Sequence, residues 1–246
     1  MRSHRRFLGA ALVTGCLVAA AVAIARFETG SLAAARPLPH VLLWAWERPE
    51  DLGFLAPREA GVAFLARTIR LRGSELVDRP RLQPLRFPPG ATLVAVVRIE
   101  SDRRQPPELS AGLRSKAVSA IAQAAAIPGI AAIQLDYDAT ASERAFYREL
   151  LQDLRARLPA SVGLSITALA SWCLGDPWLS GLPIDEAVPM LFRMGPDGRQ
   201  VLLHLEAGGD FRDPACRHSL GLSTDEPLRR LPVRRRLYLF HPQPWS

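Results

Sequence analysis

The chain has 246 residues, and 48% of them are hydrophobic, which is enough for one large domain with a full core or for two small domains. Its formal net charge is +7, but part of that charge comes from arginines near the N-terminus, and the rest shows no stripe of clustered basic residues with interleaved aromatics. This distribution argues against a protein that binds nucleic acid.

The N-terminus predicts an export segment. Arginines within the first six residues form a basic start, and Phe7–Ala25 is uncharged, mostly apolar and ends in small residues that resemble a cleavage site. The run is also long enough to span a bilayer as an uncleaved anchor, and the basic residues before it favour export of the chain after it. We therefore set residues 1–30 aside as a signal peptide or membrane anchor. We expect residues 38–246 to form one domain in the periplasm or outside the cell.

Short apolar runs separated by turn signals predict eight strands in the remaining chain. Their nearly continuous apolar character suits strands that are covered on both faces. In chain order, the predicted strands are His40–Trp46, Gly61–Ala66, Thr92–Ile99, Ile130–Tyr137, Val162–Leu169, Glu186–Phe192, Ser219–Ser223 and Leu237–His241.

Helical periodicity fits between several of these strands, over Leu109–Ile127, Ser142–Leu158 and Asp197–Ala207. The segment Thr68–Pro89 has no helical period, so we expect an irregular excursion or a small hairpin there. Strands that alternate with helices favour an α/β fold, a small (β/α)₈ TIM-type barrel. The competing fold is a doubly wound open sheet, although no glycine-rich phosphate turn follows the first strand.

The fourth predicted strand ends in two carboxylates. Asp136 and Asp138 alternate with Leu135 and Tyr137, so both acids share one face of the strand with Gln134. The C-terminal ends of barrel strands carry the active sites of barrel enzymes, which makes these acids candidate catalytic groups. The alternative is that they cap a helix or lie in a solvated loop.

Other candidate ligand-binding side chains lie at or just after the ends of the remaining strands. Tryptophans recur there, and indole faces suit the C–H-rich faces of sugar rings, although some of them would simply cap the barrel core. An arginine beside carboxylates either supports an acid or only stabilises the barrel. The candidates are Trp44, Trp46, Glu47, Arg98, Glu100, Thr167, Trp172, Arg193 and Trp245, with the acids Asp225 and Glu226 after the seventh strand.

Two cysteines remain outside the export segment, Cys173 and Cys216. Export makes a disulfide between them plausible, and two unrelated buried thiols are the alternative. The sequence has no C-x-x-C motif and no histidines paired at the spacing of metal ligands, so we predict neither a metal nor a cofactor.

Several phrases of the chain resemble a bacterial exported family of unknown function. They are Leu43–Arg48, Val97–Glu100, Ile133–Asp138, Ser165–Cys173 and Gly221–Pro227. The resemblance covers most of the chain after residue 38 and implies a barrel of the glycoside-hydrolase type. A more remote similarity is to chitinase-like barrels, whose fourth strand carries D-x-x-D-x-D-x-E. On that pattern Asp138 takes the position of the acid and Asp136 that of the last aspartate, whereas Gln134 and Ala131 depart from it.

Together these observations predict an exported barrel that acts on carbohydrate. As a glycoside hydrolase, it would use Asp136 or Asp138 with Glu226 or Asp225 as the two carboxyl groups that flank the glycosidic bond. Arg98 and Thr167 would orient them, and the sugar platform would consist of Trp44, Trp46, Trp172 and Trp245. The alternative is a non-catalytic barrel that binds envelope polysaccharide or an envelope protein.

Overall fold

The computed structural model describes residues 37–226, 232 and 234–245, within a compact unit that spans Ala35–Ser246. The predicted export segment lies outside the described residues, as does the choice between cleavage and anchoring. Within the described ranges, no helix is long and apolar enough to cross a membrane.

The described chain contains short strands that alternate with helices in its central part. The strands are β1 Val41–Ala45, β2 Glu50–Asp51, β3 Ala60–Arg72, β4 Glu75–Pro80, β5 Leu85–Arg86, β6 Leu93–Ser101, β7 Ile130–Asp136, β8 Gly163–Leu169, β9 Glu186–Met190, β10 Ser219–Ser223 and β11 Arg236–Phe240. The helices are α1 Ala111–Ala124, α2 Arg144–Arg157, α3 Ala170–Gly175 and α4 Gly198–Glu206. Short 3₁₀ turns cover Ala141–Glu143, Pro177–Leu179 and Pro214–Arg217.

Eight of the strands close into a parallel barrel in the order β1, β3, β6, β7, β8, β9, β10 and β11. Closure is visible in β1, where Val41 pairs with Ala60 of β3 on one side and with Leu237 of β11 on the other. An open sheet would have left two edge strands that are each unpaired on one side, whereas all eight barrel strands have a neighbour on both sides. The predicted (β/α)₈ barrel is therefore confirmed, and the doubly wound alternative is wrong.

The three predicted helices are present as α1, α2 and α4, each shorter by a few residues than its sequence pattern. The start of α1 is capped by Ser110, whose hydroxyl accepts a hydrogen bond from the backbone N–H of Leu113 at 3.2 Å. A barrel strand is not always followed by a helix here. The connection from β1 to β3 contains β2, and the connection from β3 to β6 contains β4 and β5, with β2 and β5 paired in a small separate sheet.

The segment Thr68–Pro89, which has no helical period, contributes to a small hairpin, one of the two structures expected there. Strand β3 continues to Arg72, turns at Gly73 with φ +51°, and returns as β4. The sequence pattern predicted only the first half of β3, because Arg67 and Arg70 interrupt its apolar run. The extension matters because it places Arg70 in register with Glu100, near the C-terminal end of β6.

Alternating side chains along each strand separate two cores. In β7, Ile133 and Leu135 pack outward with the buried faces of α1 and α2, whereas Ala132 belongs to a second cluster inside the barrel. That inner cluster also contains Leu42, Trp44, Ala63, Leu65, Val94, Val96, Val188, Tyr238 and Phe240. By the same alternation, Gln134 and Asp136 point into the barrel.

Glu186 and Gln134 make hydrogen bonds inside the barrel, whereas the amide oxygen of Gln134 and the hydroxyl of Ser219 have no partner among the described residues. Glu186, which is 4% exposed, accepts from Arg236 at 2.6 Å and from the hydroxyl of Tyr238 at 2.6 Å. The amide of Gln134 donates to the hydroxyl of Ser165 at 2.9 Å. Burying a carboxylate costs free energy unless hydrogen-bond donors satisfy it. The contacts of Glu186 therefore offset the cost of placing its charge inside the barrel.

Cys173 of α3 and Cys216 of the Pro214–Arg217 turn form a disulfide, with their Cα atoms 5.9 Å apart. Both residues are fully buried. The bond joins the segment after β8 to the segment before β10, across a sequence separation of 43.

The double substitution Cys173→Ala/Cys216→Ala is expected to lower the free energy of unfolding by about 3–4 kcal/mol, because the unfolded chain regains the entropy of an open loop. Urea unfolding followed by circular dichroism measures the change. The single variant Cys173→Ala should lose a similar amount, since the bond is absent there too. An unchanged unfolding midpoint in the double variant would contradict a structural role for the bond.

Candidate functional site

A cavity of about 730 Å³ opens at the C-terminal ends of β3, β6 and β7, and we call it the β6–β7 cavity. Its volume lies in the range of small-molecule and cofactor sites. The lining is dominated by charged side chains: Arg70, Arg98, Glu100, Asp102, Arg103, Arg104, Asp136, Asp138 and Glu143.

Asp136 lies deep in the β6–β7 cavity, with 15% of its side chain exposed. The hydroxyl of Thr167 donates to it at 2.9 Å, and Arg98 contacts its other oxygen at 3.4 Å. Burial raises the pKa of Asp136, and the opposing effects of Arg98 and Thr167 do not cancel this rise. The negative charges of Asp138 and Glu100 raise that pKa further.

Glu100 lies on the other side of the same guanidinium. Arg98 donates to Glu100 through Nε at 3.1 Å, and Arg70 reaches the second carboxylate oxygen at 3.2 Å. Partial burial would raise the pKa of Glu100, but the hydrogen bond from Arg70 and the charge of Arg98 outweigh it and hold this pKa below its ordinary value. The ionised form is therefore favoured in Glu100 and disfavoured in Asp136, relative to ordinary carboxyl groups.

Asp138 is exposed and follows Asp136 by one pleat of the strand. Within the described part of the chain, its carboxylate has neither an ion pair nor a hydrogen bond. The buried Glu143 nearby is fully engaged, since it accepts from Ser101 and from the backbone N–H and hydroxyl of Thr140, both at 2.7 Å. These contacts fix the loop that presents Asp138 to the cavity.

The two carboxyl groups that share Arg98 have pKa values displaced in opposite directions. Such a displacement is typical of acid–base pairs, in which one group holds a proton and the other stays charged. Asp136 and Glu100 are separated by a single guanidinium, and Asp138 lies beside Asp136 at the solvent side. The arrangement can therefore donate a proton and stabilise a developing positive charge in one cavity.

The acids after β10 lie elsewhere. Asp225 accepts from the hydroxyl of Ser223, and Glu226 accepts from the backbone N–H of Arg193 at 3.1 Å. Arg193 itself has a positive φ of 48°. Neither acid lines the β6–β7 cavity, so the structure does not bring them into the cavity that holds Asp136 and Asp138.

Two of the four predicted platform tryptophans are buried in the protein. Trp44 is 1% exposed and stacks on Phe240 inside the barrel, with ring centroids 4.3 Å apart. Trp172 is 4% exposed and packs edge-on against Trp178 at 4.9 Å, beside the disulfide. Neither indole presents a face to a ligand in this structure.

The other two tryptophans are partly exposed at the mouth of the barrel. Trp46 lines a second cavity of about 250 Å³ together with Phe192 and Arg193, and its ring lies 6.0 Å from the guanidinium of Arg98. Trp245 donates its indole N–H to the backbone oxygen of Trp44 at 2.8 Å. Glu47 is exposed in the loop after β1.

Sequence reasoning missed several residues of the β6–β7 cavity. Arg70 was hidden in the unpredicted half of β3, whereas Arg103 and Arg104 follow the third predicted strand and could have been included by position alone. Glu143 had a visible signal, because Thr140-x-x-Glu143 is a capping box before an apolar run.

Residues 89–192 match a family model described as "Domain of unknown function (DUF3142)". The matched stretch contains β6 to β9 and both acids of β7, and it confirms the resemblance to a family of unknown function over that stretch. No curated protein matches the sequence significantly.

Two solved structures are similar in fold. One is a Streptomyces coelicolor protein described as "putative Chitinase A", with 10% sequence identity, a TM-score of 0.49, and coverage of 78% of this chain and 76% of that chain. The other is the Bacillus cereus spore cortex-lytic enzyme SleL, with 15% identity and a TM-score of 0.48. The match to SleL covers 76% of this chain and 52% of that one, so the chain spans about half the length of SleL. Both likenesses concern the barrel alone and assign no activity.

The substitution Arg98→Gln is expected to raise the pKa of both Asp136 and Glu100, because the positive charge of Arg98 favours the ionised form of each. Carboxyl ¹³C NMR titration measures both values, with Asp136→Asn and Glu100→Gln as assignment variants. Arg70→Gln is the matched control, since it should raise the pKa of Glu100 and leave that of Asp136 in place. An unchanged Asp136 titration in Arg98→Gln would contradict the shared-guanidinium geometry.

Proposed function

We propose that this barrel is a carbohydrate-active protein that hydrolyses glycosidic bonds in the β6–β7 cavity. The observation that carries the proposal is the set of three acids in this cavity: Asp138 without a partner in the described chain, Asp136 with a raised pKa, and Glu100 with a lowered pKa. Glycoside hydrolysis uses this combination of a proton donor and a charged carboxylate.

Asp138 is the proposed acid, because it lies nearest the open side of the cavity and is free to reach a leaving-group oxygen. Asp136, two residues earlier on the same face of the strand, lies deeper and would orient it, and burial raises its pKa. Glu100 is the proposed ionised partner, which would stabilise an oxocarbenium-like transition state or activate water. Glu226 and Asp225 remain alternative candidates for that second role, contributed from the opposite side of the barrel mouth.

The bound partner is proposed to be a polysaccharide, such as one of the cell envelope. Trp46 and Trp245 are the tryptophans with exposed surface at the mouth. Trp46 lies between Arg98 and the second cavity of about 250 Å³, which we call the aromatic cavity because Trp46, Phe192 and Phe240 line it. A chain of sugar rings that extends from Asp138 across Arg98 would meet this indole. Aromatic faces of that kind suit sugar rings.

A second candidate function is non-catalytic binding of polysaccharide or of an envelope protein. The observation that favours it is the ion pairing of Asp136 and Glu100 with one arginine, since carboxylates held by a guanidinium can serve structure and recognition alone. The two functions differ in whether a carboxyl group of the cavity transfers a proton to the bound polymer.

A screen of the purified protein against diverse polysaccharides, reading reducing ends and binding together, tests the proposal. For a polymer that is cleaved, Asp138→Asn is expected to lower the rate by about 10²–10⁴-fold, the contribution typical of a general acid, while binding is retained. Asp197→Asn, an exposed position at the start of α4, is the matched control. Binding without cleavage of any polymer by the wild-type protein would favour the second function.

Substitutions of Glu100 and Glu226 show which of these two acids is the second carboxylate beside Asp138. Glu100→Gln should reduce cleavage by a factor comparable to Asp138→Asn, whereas Glu226→Gln should leave it nearly unchanged. The opposite order would transfer the partner role to the acid after β10, in agreement with the sequence-based expectation.

We also propose that the barrel works outside the cytoplasm. The buried Cys173–Cys216 disulfide supports this, because structural disulfides persist in oxidising compartments. The basic start and apolar run of the N-terminal sequence point in the same direction. Retention of that run as an anchor would tether the barrel to the membrane.

An alkaline phosphatase fused to the C-terminus is expected to be active in a bacterial host, since this enzyme folds only after export. A fusion to a reporter that is active only in the cytoplasm serves as the reciprocal control. An inactive phosphatase with an active cytoplasmic reporter would place the barrel inside the cell.

A further inference from the structure

Two arginines of the β6–β7 cavity have no role in the proposed hydrolysis. Arg103 and Arg104 lie on the loop that follows β6, both are exposed, and both line the cavity. Across residues 37–226 and the described C-terminal residues, neither guanidinium has a carboxylate partner or a hydrogen bond. They are therefore available to a ligand.

The loop that carries these arginines is held in place by the neighbouring hairpin. Asp102 accepts the backbone N–H of Arg104 at 2.8 Å, and the backbone oxygen of Gln105 accepts from Gly73 at 3.2 Å. The side chain of Gln105 accepts from Arg72 at 2.6 Å. Because the β3–β4 hairpin braces the loop, the backbone positions from which both guanidiniums extend are fixed, which reduces the entropy lost on binding.

Most of the other charged groups in the cavity are already engaged within the protein. Arg98 is shared by Asp136 and Glu100, Glu143 accepts hydrogen bonds from its own turn, and Asp102 accepts from the backbone of its loop. Among the described residues, the charged groups of this cavity that remain without a partner are the carboxylate of Asp138 and the two guanidiniums on the loop. An anionic group of a ligand would therefore be matched on the loop side, at those guanidiniums.

We infer that the β6–β7 cavity takes a glycan with an anionic substituent, a carboxylate or a sulfate, which Arg103 and Arg104 bind beside Asp138. The inference rests on the proposed function, in that the occupant is a glycan. Planar guanidinium groups match the paired oxygens of such anions. A neutral sugar would offer both guanidiniums hydroxyl groups but no opposite charge. It would also find no aromatic face in this cavity, because Tyr137 is only 2% exposed.

Affinity electrophoresis of the full chain against matched polymer pairs tests the inference. The pairs are hydroxyethyl and carboxymethyl cellulose, glycol and carboxymethyl chitin, and dextran and dextran sulfate, which distinguish carboxylate from sulfate. For at least one pair, the anionic polymer is expected to bind about tenfold more tightly than its neutral form, as charge-assisted hydrogen bonds would give. Arg103→Gln/Arg104→Gln should abolish this preference.

The control variant is Arg58→Gln/Arg199→Gln, which removes the same charge from two exposed arginines outside the cavity. It should retain the preference, whereas an equal loss in both double variants would show nonspecific attraction and overturn the inference. Equal affinity for neutral and anionic polymers, or binding to none of them, would also overturn it.

The outcome separates this inference from the proposed hydrolysis. An anionic preference that depends on Arg103 and Arg104 without any release of reducing ends supports the inference and removes the hydrolase proposal. Cleavage of neutral polymers alone, which Asp138→Asn abolishes, supports the hydrolase proposal and removes the inference of an anionic glycan.

Discussion

The pairing of β1 with both β3 and β11 is the constraint on which the rest of the structure depends, because it closes the sheet into a ring. A closed ring gives every strand an inside and an outside, so the alternation of side chains becomes a division between two cores. It also brings the C-terminal ends of all eight barrel strands to one rim. The acids of β7 and the arginine of β6 meet there because neighbouring parallel strands end side by side: Arg98 pairs in register with Asp136.

Two ion pairs inside this ring show how the same residue types serve different purposes. Near the start of β9, Glu186 is bound by Arg236 and Tyr238 at 2.6 Å each, which satisfies the buried charge. At the rim, Arg98 approaches Asp136 only to 3.4 Å, and it also donates a hydrogen bond to Glu100 at 3.1 Å. The first arrangement stabilises a carboxylate in the core. The second is too weak to offset the burial of Asp136, and the pKa of that acid is raised as a result.

The sequence allowed the barrel to be predicted because strand patterns depend on local alternation, which survives without any knowledge of pairing partners. All eight barrel strands lie at their predicted positions. The predicted strand for β3 ended too early, because Arg67 and Arg70 interrupt the apolar run in its second half. The same alternation gave Asp136 its inward direction. The loops beyond the strand ends were less accessible, since loops have no period, and the placement of Arg103 depends on how the β3–β4 hairpin supports its loop.

The tryptophans illustrate a different limit of sequence reasoning. An indole at a strand end is equally compatible with capping the core and with binding sugar, and only packing decides between them. Trp44 fills the lumen against Phe240, whereas Trp46, two residues later on the same face, reaches the rim beside Arg98. Because Trp44 and Phe240 fill the barrel interior below the rim, a glycan of the proposed kind would lie across the mouth of the barrel and would not enter the lumen. The charged β6–β7 cavity and the aromatic cavity lined by Trp46 then form two parts of one surface, with Arg98 between them.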